Sequence, residues 1–89
     1  MMHHATFYTR KECHLCEQAR EAIDRCKKRL SLQIETVDVD ENLEARKLYG
    51  ERVPVLAIEN GPVLEAWINE ESLILAMRDL GQNTATSGA

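Results

Sequence analysis

Three features of this 89-residue sequence predict an α/β domain of order βαβαββα, a four-stranded mixed sheet flanked by three helices. Early in the chain the apolar periodicity switches from the two-residue step of a strand to the three-and-four step of a helix, then back again. Strand, helix and strand in that order make a right-handed crossover between parallel strands. Farther on, Asn60-Gly61 separates two apolar runs, and so short a turn joins only antiparallel strands. A closing helical repeat supplies a further apolar face for the sheet.

Residues 5–9, "ATFYT", are aromatic and β-branched and read as the first strand, stopped by the charged "RKE". Residues 13–29 turn helical: Leu15, Ala19, Ala22, Ile23, Cys26 and Leu30 recur at helical steps, with charged residues largely between them. Residues 32–39 form the second strand, and Asp40 is the expected cap of a short helix over 41–49 that Gly50 ends. Residues 53–59 and 62–68 are the hairpin strands. The last helix is expected to start near Asn69, to bury Leu73, Ala76, Met77 and Leu80, and to stop at Gly81. Residues 1–81 then make a single domain, with 82–89, "QNTATSGA", as a flexible polar tail.

The composition, 44% hydrophobic and 29% charged, is ordinary for a globular protein. A net charge of −4, with no basic run longer than Lys27, Lys28 and Arg29, argues against a nucleic-acid partner. The opening "MMHHATFYTR" has no apolar stretch of the signal-peptide kind, and no segment approaches membrane-spanning length. A cytoplasmic protein with no membrane partner is the expectation. In that compartment thiols stay reduced, so a close cysteine pair is read as catalytic or metal-binding rather than as a structural disulfide. The odd count of three cysteines agrees. His3 and His4 carry no functional weight in this reading.

"YTRKECHLCEQAR" holds Cys13 and Cys16 where the first strand hands over to the first helix. Free amide hydrogens and the positive end of the helix dipole stabilise a thiolate there, and the thiolate is the reactive form. Cys16 lies one turn deeper, close enough for a disulfide. Cys13 is then the exposed attacker and Cys16 the resolving thiol. Cys26 sits on the same helix ~15 Å farther along the axis, on the apolar face, and is expected to be a buried, inert small hydrophobe.

Two other readings use the same cysteines. In one, Cys13 and Cys16 are soft ligands of zinc or of an iron–sulfur cluster, with His14, His3 or His4 completing a zinc site. No second CxxC or His pair follows at a usual spacing. In the other, the cysteines are idle and the domain is a protein-binding adaptor. The redox reading ranks first, because a CxxC after a strand and opening a helix inside a βαβ unit is the thioredoxin-like arrangement.

"FYTRKECHLC", followed by "VDVDEN", "YGERVPVL" and the closing helix, resembles the glutaredoxin-like branch of the thioredoxin superfamily over roughly residues 5–80. The resemblance implies a thioredoxin-like sheet in order 2-1-3-4, with the third strand running against the first two. It implies a cis peptide bond between Val53 and Pro54 facing the cysteines, and a Val53 backbone that pairs with an extended substrate chain. It makes Cys13 the nucleophile and Cys16 the resolver. It also places Arg10 where many relatives carry a basic residue that meets a glutathione carboxylate. Lys11 and Arg52 are expected to be solvated charges.

Two departures stand out. "CHLC" lacks the proline and tyrosine of many glutaredoxins, and its His14 is expected in solvent, with thiolate stabilisation the alternative. Glu65, Ala66 and Trp67 occupy the place of a Gly-Gly pair that helps hold glutathione. Trp67 is expected on its strand, on one face with Val63 and Glu65, in core or edge packing, with lining of a substrate groove beside the cysteines the alternative. The functional expectation is therefore a thiol–disulfide oxidoreductase acting through Cys13 and Cys16, with Arg10, Val53 and Pro54 binding substrate. No resident cofactor or metal is expected, and glutathione is a candidate co-substrate. The partners are a disulfide-containing protein or small molecule and a reductant (glutathione, thioredoxin or a reductase), and the chain is expected to be monomeric.

Overall fold

The computed structural model describes residues 2–87, with side chains as far as residue 78. Its elements are β1 (His3–Thr9), α1 (His14–Cys26), β2 (Leu32–Asp38), a single 3-10 turn (Val39–Glu41), α2 (Leu43–Tyr49), β3 (Val55–Ile58), β4 (Val63–Glu65) and α3 (Glu70–Ser87). The sheet runs β2-β1-β3-β4. β1 and β2 are parallel, with His3 opposite Leu32 and Thr9 opposite Asp38. β3 is antiparallel to both neighbours, with Leu56 between Phe7 and Leu64. The predicted α/β architecture and strand order are those observed.

Strand alternation divides the interior. Ala5 and Phe7 of β1 point one way, with Leu56 and Ile58 of β3. Against them α1 buries Ala19, Ala22, Ile23 and Cys26, residues spaced three or four apart, or adjacent, on one stripe, and α3 adds Leu73 and Ala76. Tyr8 and Val55, opposite one another in the register, point to the other face. There Tyr8 stacks on Tyr49 of α2 with ring centroids 4.5 Å apart.

Several boundaries differ from expectation, each for a local reason. β1 begins at His3 because the parallel neighbour offers a partner: His3 N–H donates to the Ser31 carbonyl at 2.7 Å. α1 ends at Cys26 rather than at 29, in turns that lead to Ser31 with φ 55°. Asp40 does not cap α2. The 3-10 turn intervenes, with Asp38 accepting the Asp40 N–H at 2.8 Å, and Asn42 caps α2 by accepting the Ala45 N–H at 2.9 Å.

β4 is only three residues long, because Ala66 takes φ 60° and turns the chain out of the sheet. α3 opens with a reciprocal cap. Asn69 Oδ1 accepts the Ser72 N–H at 2.8 Å, while Ser72 Oγ accepts the Asn69 N–H at 2.9 Å. The helix then runs through Gly81 to Ser87, which corrects the expected helix stop at Gly81. An internal glycine costs a helix about 1 kcal/mol, which weakens it without ending it. The expected burial of Leu80, and residues 88 and 89, lie outside the described residues. Among the described residues no helix is long and apolar enough to cross a membrane.

Candidate active site

The chain leaves β1 at Thr9, turns through Lys11 and Glu12, and enters α1 at His14. Glu12 makes the turn in a left-handed conformation, φ 56°, which is uncommon for a residue with a side chain. No glycine or asparagine marks the position, so the sequence carried no signal for it. The turn leaves Cys13 extended, at φ −116° and ψ 108°, as the N-cap of α1. Its Sγ accepts the Cys16 N–H at 3.2 Å, and so takes up one of the amides that a helix start leaves unpaired.

Cys13 and Cys16 are joined as a disulfide, with Cα atoms 5.1 Å apart. Cys16 is 1% exposed and Cys13 is half-buried, so Cys13 is the sulfur more open to solvent. Cys26, ten positions beyond Cys16, is a free, fully buried thiol. Desolvation pushes its pKa up, and the nearby Glu70 carboxylate adds to that. Its Sγ lies 3.5 Å from Glu70 Oε1, and Arg29 Nη2 donates to it at 3.6 Å.

Pro54 is buried and the Val53–Pro54 peptide bond is cis. The β1–β3 register pairs Tyr8 with Val55; one further step puts Pro54 beside Thr9, the strand end from which the cysteine turn departs. Val53 is half-buried, and among the described residues its N–H and C=O have no backbone partner. Just beyond β4, the Ala66 N–H donates to the Pro54 carbonyl at 2.9 Å.

Arg10 forms a two-pronged pair with Asp40: Nε to Oδ2 and Nη2 to Oδ1, each 3.0 Å. Arg46 adds a bond to the Asp40 carbonyl at 2.8 Å. The Arg10 guanidinium holds the Asp40 carboxyl below its ordinary range. Arg52 is paired in the same way with Glu65, at 2.8 and 2.7 Å, and its guanidinium carbon lies 5.7 Å from the centre of the Tyr49 ring. Arg52 is therefore engaged across the hairpin rather than simply solvated. Lys11 is exposed. The His14 side chain is 96% exposed and its Nδ1 lies 3.9 Å from Glu17.

Trp67 is not part of β4. It stands beyond the Ala66 turn, 72% exposed, and lines a concavity of about 260 Å³ with Leu15, Ala22, Ala66 and Ile68 and with the polar Gln18, Glu21, Arg25 and Asn69. The expectation of core or edge packing on a strand face is overturned, because the left-handed residue breaks the alternation that Val63 and Glu65 began. The observed register puts Glu65 opposite Val55, one step from the Leu56 partner that a two-residue turn at Asn60-Gly61 would give it, so the Arg52–Glu65 pair was not legible in the sequence. Among the described residues, no three His, Cys, Asp or Glu side chains gather in a way that would hold a metal ion. His3 and His4 start β1, whereas the cysteines follow its other end, ~20 Å away at strand spacing.

A four-stranded sheet of this order, with a CxxC pair capping the helix that follows its first strand, defines a protein of the thioredoxin-like class. The chain belongs to the family of the Glutaredoxin-like domain (DUF836), whose model matches residues 4–78. No curated protein matches it in sequence. Among solved structures it is similar to target protein XcR50 from X. campestris, at 33% identity and TM-score 0.65 over 78% of this chain and 88% of that one. Protein Ne2328 from Nitrosomonas europaea is 27% identical, at TM-score 0.65, over 80% and 86% of the two chains. A thioredoxin-2 described as a component of malaria parasite protein secretion machinery shares the fold at 18% identity and TM-score 0.65, over 88% of this chain and 82% of that one.

Proposed function

We propose that this protein is a thiol–disulfide oxidoreductase in which Cys13 and Cys16 cycle between dithiol and disulfide. The observation that carries the reading is the placement of Cys13 Sγ at the start of α1, accepting the Cys16 N–H, with Cys16 buried behind it. Amide hydrogens and helix dipole both favour a thiolate at that point, and the more open sulfur is the one that meets substrate.

In the reductive direction the Cys13 thiolate attacks one sulfur of a substrate disulfide. A Cys13–substrate disulfide forms, and the first substrate thiolate leaves and takes a proton from solvent. Cys16, deprotonated, then attacks Cys13 Sγ, closing the 13–16 bond and releasing the second substrate thiolate. Two electrons have passed from the dithiol to the substrate. An external thiol, glutathione or a thioredoxin-type dithiol, reverses the sequence and resets the pair. The backbone groups of Val53, without a backbone partner among the described residues, suit an extended substrate chain, and the adjoining Pro54 is buried.

A redox titration in glutathione buffers, with acid quenching, alkylation and peptide mapping, tests the reading. The expected result is a reversible two-electron step confined to Cys13 and Cys16, with Cys26 remaining a thiol. A midpoint near about −270 mV would group it with thioredoxins, and one near about −200 mV with glutaredoxins. Cys13→Ser is expected to abolish turnover, and Cys16→Ser to accumulate the mixed disulfide. A Cys16→Ser protein that never forms such an adduct, or a bound metal that prevents the 13–16 bond, would overturn the proposal.

A further inference from the structure

Cys16 borders a concavity of about 580 Å³ between the β1–α1 turn and the side of α1. Apart from Thr9, every other residue lining it is charged: Arg10, Lys11 and Arg20 against Glu12, Glu17 and Glu21. Counted by residue type, the two signs balance. Arg10 tips that balance, because its Nε and Nη2 are bonded to the Asp40 carboxylate at 3.0 Å each. Asp40 belongs to the 3-10 turn after β2 and is not among the residues lining the concavity.

A guanidinium fork meets a carboxylate best in this two-bond geometry, and the same fork is what a carboxylate on a substrate would need. Asp40 already occupies it. With Arg10 neutralised from behind, three carboxylates face the two remaining cations, Lys11 and Arg20. On its other side Arg10 borders a second concavity, shared with Arg46, Lys47, Glu51 and Arg52, which holds neither cysteine. There Arg46 donates to the Asp40 carbonyl, and Arg52 is held by Glu65.

Resting on the oxidoreductase reading, we infer that Asp40 sets the charge preference of the cysteine site. By holding Arg10 it leaves the margin beside Cys16 with an excess of negative charge, so disulfides flanked by neutral or cationic groups react faster than those flanked by carboxylates. Asp40 is then a positioning residue that acts through Arg10 and touches neither the substrate nor the sulfurs.

Three small symmetrical disulfides test this with the full-length reduced protein: cystamine, hydroxyethyl disulfide and dithiodipropionate. They carry an ammonium, a hydroxyl and a carboxylate at about the same distance from sulfur. Each rate is divided by that of the same disulfide with dithiothreitol, which removes the intrinsic reactivity of the probe. At low ionic strength wild type is expected to favour cystamine over dithiodipropionate by about threefold to tenfold, the scale of a unit charge at the edge of a solvated site. Added salt should flatten the preference.

Asp40→Asn is expected to bring the preference to one or to reverse it, with little change on hydroxyethyl disulfide, and Asp40→Glu to restore it. In an Arg10→Gln background, Asp40→Asn should move the preference far less, because the cation it would release is gone. Equal normalised rates in wild type overturn the role of Asp40 and leave the oxidoreductase standing. So does a preference that survives Asp40→Asn, including a loss of rate shared by all three probes, or one that shifts equally with and without Arg10. If no probe oxidises Cys13 and Cys16, the oxidoreductase reading falls and this inference falls with it.

Discussion

Ala66 donates its backbone N–H to the Pro54 carbonyl at 2.9 Å while holding φ 60°, a conformation that L-residues rarely adopt. This one bond links the segment beside the cysteines to the loop that presents Trp67. It also explains why β4 ends at Glu65: a residue in the left-handed region cannot continue the pleat.

The strain at that position is measurable. Ala66→Gly removes the Cβ that disfavours the left-handed region and is expected to stabilise the fold by up to about 1 kcal/mol. Ala66→Val adds β-branching at the same φ and is expected to destabilise it by about 1–3 kcal/mol. Urea unfolding of the two variants checks the order. Equal stabilities would mean that the loop relaxes freely.

The Arg10–Asp40 and Arg52–Glu65 pairs make stability depend on pH in a defined direction. Hydrogen bonds from the guanidinium groups lower the pKa of both carboxyls in the folded protein. Their contribution is therefore present above the unfolded carboxylate pKa of about 4 and is lost as the pH falls through the lower folded values. The Tm difference between wild type and Asp40→Asn should be positive at neutral pH and shrink toward zero in acid. Added salt should shrink it too, because both pairs are at the surface.

Helix capping gives a third test, one that separates Asn42 from Asp40. Asn42→Ala removes the acceptor for the Ala45 N–H and is expected to cost about 1 kcal/mol. Asp40→Ala leaves that cap in place and should cost less. The reverse order in thermal or urea unfolding would mean that the Arg10–Asp40 pair contributes more than the Asn42 cap.

Cys26 should behave as a packing residue. Its burial raises the thiol pKa, so the reactive thiolate is scarce at neutral pH, and the sulfur has no access to reagent. In the reduced protein, alkylation near pH 7.5 should label Cys13 first and reach Cys26 only on unfolding. Folding stability should fall as the pH rises past the ordinary thiol range, since the unfolded chain ionises there first. Native-state mass mapping, with and without urea, decides it.

Much of this molecule was legible from neighbouring residues. The β-branched runs, the helical repeat from Leu15 to Cys26 and the Asn60-Gly61 turn are signals carried within a few positions, and they led to the element order and the mixed sheet, while the strand order followed from the resemblance to glutaredoxin-like proteins. The cysteine pair was legible for the same reason: three residues on a helix start put both thiols one turn apart, whatever surrounds them. Cys26 could be assigned to the interior from its place on the apolar stripe.

The rest depended on residues that meet only after the chain has folded. Arg10 and Asp40 are thirty positions apart, and Arg52 and Glu65 thirteen, so their mutual neutralisation is a product of sheet register and crossover geometry. Alternation suggested a longer β4 with Trp67 on its face, but Ala66 adopts a conformation for which its own preference gives no warning. The Pro54 carbonyl accepts its N–H there, and that bond helps hold it. Sequence by itself determined the class of fold and the placement of Cys13 and Cys16 one turn apart at a helix start, because both follow from short-range spacing. Tertiary structure decided which charges are already paired and that Trp67 stands outside the sheet, because those follow from contacts between distant segments.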